Sequence, residues 1–179
     1  MKICAIIENG FEELEAIGTI ALLKRSGIQV DLYSTNKDTV YGKHNLAITN
    51  VLPLETCEEP NYDLLLLPGG PHYEALENNP KVIELIHEFN NKAKPIAAIC
   101  ASPTILGKLG LLKNRNYTCF TSMNEDFGGT FIDTYAVKDE HIITAKSAAA
   151  SIDFAFEIIE YLQGKDQRTK VEQQIYYKK

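Results

Sequence analysis

Along the chain, short unbroken apolar runs alternate with longer stretches in which apolar residues recur every three or four positions. The runs Lys2 to Ile7, Ile28 to Ser34, Tyr62 to Leu67 and Ile96 to Ile99 are short and lack apolar–polar alternation, so they predict strands buried on both faces. The longer stretches predict helices: Glu12 to Ser26, with Leu14, Ile17, Ala21 and Leu22 on one side and Gly27 as the stop; Val82 to Phe89; the segment opening after Cys100 with Pro103; and Ala148 to Leu162, with Ile152, Ala155, Phe156, Ile159 and Leu162 at core spacing. Between Val40 and Val51, alternation around Gly42 and Asn45 predicts a small antiparallel excursion. Shorter strands are expected at Tyr117 to Thr121, Thr134 to Val137 and Ile142 to Ala145.

Strands alternating with helices imply an α/β fold, a doubly wound, mostly parallel sheet with helices on both faces. With 179 residues and 45% hydrophobic content, the chain fits one domain over residues 1–165 and a C-terminal extension over 166–179, where Val171 and Ile175 can dock one helical turn. A net charge of -6 without basic clusters argues against nucleic acid or an anionic membrane as partner. No apolar run is long enough to span a bilayer and no signal peptide is evident, so a cytoplasmic location is expected. The four cysteines, Cys4, Cys57, Cys100 and Cys119, are scattered without a C-x-x-C pair, which suggests neither disulfides nor a zinc site; no metal and no cofactor is expected.

In a sheet of this kind, reactive groups gather beyond the carboxyl ends of the strands. Three loops fall there: "ENGFEELE", "PGGPHY" and "CAS". Cys100 stands at the strand-to-helix corner, where unpaired N–H groups lower a thiol's pKa; position alone leaves open whether it is reactive or a small core residue. Cys4 and Cys119, inside strands, read as core, and Cys57 as exposed among glutamates. Glu12 and Glu13 suit a helix N-terminus. Glu15, one turn in and flanked by Leu14 and Ala16, is placed for burial, where a carboxyl keeps its proton and can donate to a thiolate. The N–H groups of Gly70 and Ala101 are candidate donors to an oxyanion, the alternative for the glycine pair being a tight turn.

The segments "NGFEELEAI", "YDLLLLPGG", "IAAICASPTILGKLGLL", "VKDEHIITA" and "ASIDFAFEIIEYLQGK", in this order, resemble the ThiJ/PfpI superfamily, in the branch of the Parkinsonism-associated deglycase. The resemblance implies a flavodoxin-like sandwich, a homodimer, a nucleophilic Cys100 on a strained elbow, a protonated Glu15 beside it, and backbone donors at Gly70 and Ala101. It also implies one of several activities: glyoxalase or deglycase action on small reactive carbonyls, sensing of an oxidant through the same cysteine, or chaperone function.

The sequence departs from the family pattern in three places. Ala101 stands where the protease-like branch has histidine, which argues against peptidase activity. Thr130 stands where a histidine often follows a glycine pair, and "AKSAAA" replaces "SRGPG". A proton-transferring base must then come from elsewhere. His87 and His141 fall on a helix and a strand, and His44 in the antiparallel excursion. His72, two residues after Gly70, is the candidate, against the simpler reading of a solvated loop histidine.

Overall fold

The computed structural model describes residues 1–36 and 38–177. In chain order they form β1 (Lys2–Ile6), α1 (Thr19–Arg25), β2 (Gln29–Ser34), β3 (Asp38–Tyr41), β4 (Ala47–Pro53), β5 (Leu64–Leu67), α2 (Tyr73–Glu77), α3 (Pro80–Asn91), β6 (Ile96–Ile99), α4 (Pro103–Lys108), β7 (Asn116–Tyr117), β8 (Thr130–Phe131), β9 (Ala136–Asp139), β10 (Ile142–Ala145), α5 (Ser151–Gln163) and α6 (Lys165–Gln174). The main sheet runs β3-β4-β2-β1-β5-β6-β10-β9. Its centre, from β4 to β10, is parallel, and the edge strands β3 and β9 are antiparallel to their neighbours.

The apolar runs are continuous because each central strand feeds two cores. Ile3, Ala5, Leu64, Leu66, Ala97 and Ile99 face α1, α5 and α6, whereas Cys4, Ile6, Leu65, Leu67, Ile96 and Ala98 face α3 and α4. The segment after Gly164 packs on α5: Val171 is fully buried, and Arg168 bonds Glu157, Glu160 and Glu172 while lying over the Phe156 ring. The last two positions of the expected extension, 178 and 179, lie outside the described residues.

Four expectations need correction. The first helix is not continuous: Leu14–Gly18 is a π turn, and α1 starts only at Thr19. The wider turn changes which side chains face inward, so Glu15 and Ala16 are buried while Leu14 and Ile17 are 55% and 40% exposed. Cys57 is fully buried beneath the Leu54–Thr56 turn rather than exposed. Ile152 faces solvent, its place in the core taken by Phe154 and Ile158. The strand expected over Tyr117 to Thr121 ends at Tyr117, and Thr121–Met123 is a 3-10 turn.

Candidate active site

The Gly69-Gly70 pair brings the three loops together. A Cβ on Gly69 would lie 2.4 Å from Glu15 Oε2 and 2.6 Å from Cys100 Cβ, so only glycine lets the carboxyl and the cysteine converge. Gly70, at φ +103, would crowd Glu12 N at 2.5 Å, and Glu12 N donates to Gly69 O at 2.8 Å. The end of β5 is thus tied to the loop after β1.

Cys100 sits directly after β6 with φ +65, a left-handed conformation that costs a non-glycine residue on the order of 1–3 kcal/mol. Its own peptide groups hold it there: Cys100 N donates to Ala145 O at 2.9 Å, and Phe120 N donates to Cys100 O at 2.7 Å. The next turn is anchored by Ser102 Oγ, which donates to Pro68 O at 2.5 Å. Of the four cysteines, Cys100 alone is partly exposed; the others are buried.

Burial pushes the Glu15 carboxyl up to about 7, Glu12 adding to the push, and Glu15 Oε2 is buried without a hydrogen-bond partner. Burial also pushes the Cys100 thiol up, and a charged Glu15 pushes it further, while the N–H groups of Ala101 and Gly70 pull it down. The lowering expected from a helix N-terminus is therefore outweighed: α4 has six residues, and the thiol shares a partly buried site with a second acid. The repulsion exists only while Glu15 is ionised. Once Glu15 holds the proton it becomes a donor toward sulfur, and the two backbone N–H groups then work for the thiolate against burial alone.

Residues 1–161 match the DJ-1/PfpI family. The chain belongs to this family. It is 32% identical over 149 residues to the deglycase PfpI of Pyrococcus furiosus, covering 82% of this chain and 90% of the relative. With the glutathione-independent glyoxalase DJR-1.2 of Caenorhabditis elegans it shares 31% identity over 156 residues, 86% of this chain and 83% of the relative. The solved structure of Drosophila melanogaster DJ-1beta superposes with a TM-score of 0.92 at 27% identity, covering 99% of this chain and 98% of that one.

In this DJ-1/PfpI chain, Cys100 and Glu15 open into a cavity of about 360 Å³. Its wall combines Tyr73, Phe120 and Met123 with Lys43 and Ser147. Phe120, Met123 and Lys43 were not legible as site residues. They come from the loop after β7 and the β3–β4 turn, which the crossing of Phe120 N to Cys100 O and the Phe11–Gly42 bridge carry to the cavity.

The structure does not bring His72 into this cavity. It is 2% exposed, its Nδ1 accepts from Glu8 N at 3.1 Å, and its Nε2 donates to Pro68 O at 2.9 Å. Burial pulls its pKa down to about 4, so the ring is a neutral tie between the ends of β1 and β5. It is neither a solvated loop histidine nor placed to move protons at Cys100. Thr130 is also outside the cavity: it is exposed in β8, pairing with β7 and donating its N–H to Arg115 O.

Proposed function

We propose that this protein is a DJ-1-type stress-response protein that acts on small reactive carbonyls, with Cys100 as nucleophile and Glu15 as the group that moves the proton. The observation that carries this reading is the convergence of Cys100 and a buried, partnerless Glu15 oxygen over Gly69, at the floor of a cavity. With an α-oxoaldehyde, sulfur adds to the aldehyde carbon and the carbonyl oxygen takes up a proton, giving a hemithioacetal. Ionised Glu15 then removes the proton on that carbon and returns it to the adjacent carbon, while the hemithioacetal hydroxyl gives its proton to the neighbouring carbonyl oxygen and itself becomes the carbonyl. The result is a thioester, which water hydrolyses to a 2-hydroxy acid and free thiol. A carboxyl poised at about 7 suits both the donating and the accepting step.

Relatives named deglycase and glyoxalase support the substrate class. Lactate formation from methylglyoxal by wild type and Cys100→Ser tests it: loss of turnover in the variant is expected, and equal rates would overturn the assignment. The second reading, an oxidation sensor or chaperone without turnover, is favoured by the lack of a histidine in the cavity wall among the described residues. It expects no lactate and the clean addition of two oxygens at Cys100 under mild peroxide.

Exposed Leu14, Ile17 and Leu46 around one shallow apolar face support a homodimer. Ile17→Asp should then yield monomer in sedimentation. Among the described residues no helix is long and apolar enough to cross a membrane, and four free thiols fit a reducing cytoplasm.

A further inference from the structure

We propose that Glu12, Glu13 and His44 form a binding site for one zinc-type divalent cation at the rim of the Cys100 cavity. Each residue offers one ligand atom, and the three atoms lie within 4.8 Å of one another, the one such group of three among the described residues. Sequence spacing gives no hint of it, because His44 lies 31 positions beyond Glu13.

Two of the three side chains are each already held through one carboxylate oxygen. Glu13 Oε1 accepts from His44 N at 2.6 Å, and Glu12 Oε2 accepts from Glu15 N at 2.8 Å. Such outer bonds fix ligand geometry before the ion arrives. Glu13 itself is 7% exposed and packs into the space that a Cβ on Gly42 would fill.

The simpler role for Glu13, a clamp on the β3–β4 turn, accounts for Oε1 only. Oε2 is buried and has no hydrogen-bond partner, an arrangement that costs free energy unless a donor or a cation completes it. No lysine or arginine does so: neither Glu12 nor Glu13 makes an ion pair among the described residues.

The donor set decides the class of ion. Two carboxylates and one imidazole suit zinc and its neighbours, whereas calcium takes about six to eight oxygens and magnesium keeps mostly water and oxygen. Zinc bonds of about 2.0–2.2 Å leave little slack, so any remaining gap between the ligand atoms must be closed by movement of a side chain. The exposed His44 ring can rotate to supply that movement. Two negative charges and a neutral ring leave an ion-bound site without net charge, and solvent can fill its fourth position.

Zinc titration of the full-length reduced protein against a chromophoric chelator tests the site, with His44→Ala and Glu12→Gln as variants. His44 is exposed and Glu12 only half-buried, so both variants should keep the fold, which far-ultraviolet dichroism checks. We expect one equivalent bound by wild type and at least about tenfold weaker binding in each variant, since even outer-shell changes cost about that much. Cobalt should give visible d–d bands without thiolate charge transfer. Unchanged affinity in His44→Ala, no binding by wild type, or a thiolate–cobalt band would each overturn the proposal; the last would place the ion on a cysteine.

Discussion

Two buried acid–base centres lie at the same end of the sheet, and they are built on opposite principles. Around His72, every polar atom is used: both ring nitrogens are bonded, and nearby Glu8 accepts from Ser34 Oγ, Thr35 N, Thr35 Oγ1 and Asn36 Nδ2. Around Cys100, Glu15 Oε2 is buried without a partner, the thiol faces two N–H groups, and the backbone is held at positive φ. A satisfied buried network fixes structure, whereas an unsatisfied one keeps free energy available for a reacting group. By this contrast, His72 is a brace and Glu15 is the acid that the proposed function puts to work, although the order of residues along the chain favours the reverse for the histidine.

The sharpest way to break the contrast is Gly69→Ala. Its methyl group would enter the space shared by Glu15 and Cys100, so Cys100 alkylation and any carbonyl turnover should fall by about a hundredfold, the cost of an ångström-scale misplacement. Normal rates would mean that the two groups do not work as a pair.

Glu15→Gln tests the strain held at the same corner. Its folded pKa is raised from 4.5 to about 7, so the folded chain binds the proton more tightly than the unfolded one. Wild-type stability is therefore lost as pH rises from 4.5 to about 7. Glutamine removes that loss, and urea unfolding should show the variant gaining up to about 3 kcal/mol at pH 8 relative to its difference from wild type near pH 4.5. A pH-independent difference would show that Glu15 is not held protonated.

His72→Ala should behave in the opposite way. Folding lowers the His72 pKa from 6.5 to about 4, so its contribution is complete above 6.5 and is lost as pH falls toward 4. The variant should lose about 2 kcal/mol at pH 7 through two broken ties, with a flatter acid limb and turnover within about twofold of wild type. A hundredfold loss of turnover with Cys100 alkylation intact would restore His72 as a proton carrier. The smallest effect is expected of Thr130→His, which should leave turnover unchanged because β8 lies away from the cavity.

The periodicity of the chain revealed the strands well because each core strand is apolar on both faces, a pattern that needs no tertiary information. The convergence of Cys100, Glu15 and the glycine pair was legible because it comes from chain-local geometry: a strand end, a helix start, a close turn. The π turn at Leu14–Gly18 was not, since it turns Glu15 inward against the helical spacing of Leu14 and Ile17. Phe120, Met123 and Lys43 were hidden for a similar reason: they reach the cavity through contacts between distant segments. His72 was misplaced because neighbourhood in sequence says which loop a ring belongs to and nothing about which way it points.

The bond from Cys100 N to Ala145 O and the one from Phe120 N to Cys100 O have a consequence for how the protein forms. The elbow is complete only when β1, β5, β6 and β10 lie in register, which joins residues from position 10 to position 145 through long chain closures. Such closures come late in parallel sheets. The chemistry of Cys100 therefore serves as a clock for folding: in a refolding chain, the native alkylation rate of this thiol returns only as the last strand docks, after most helical signal has recovered.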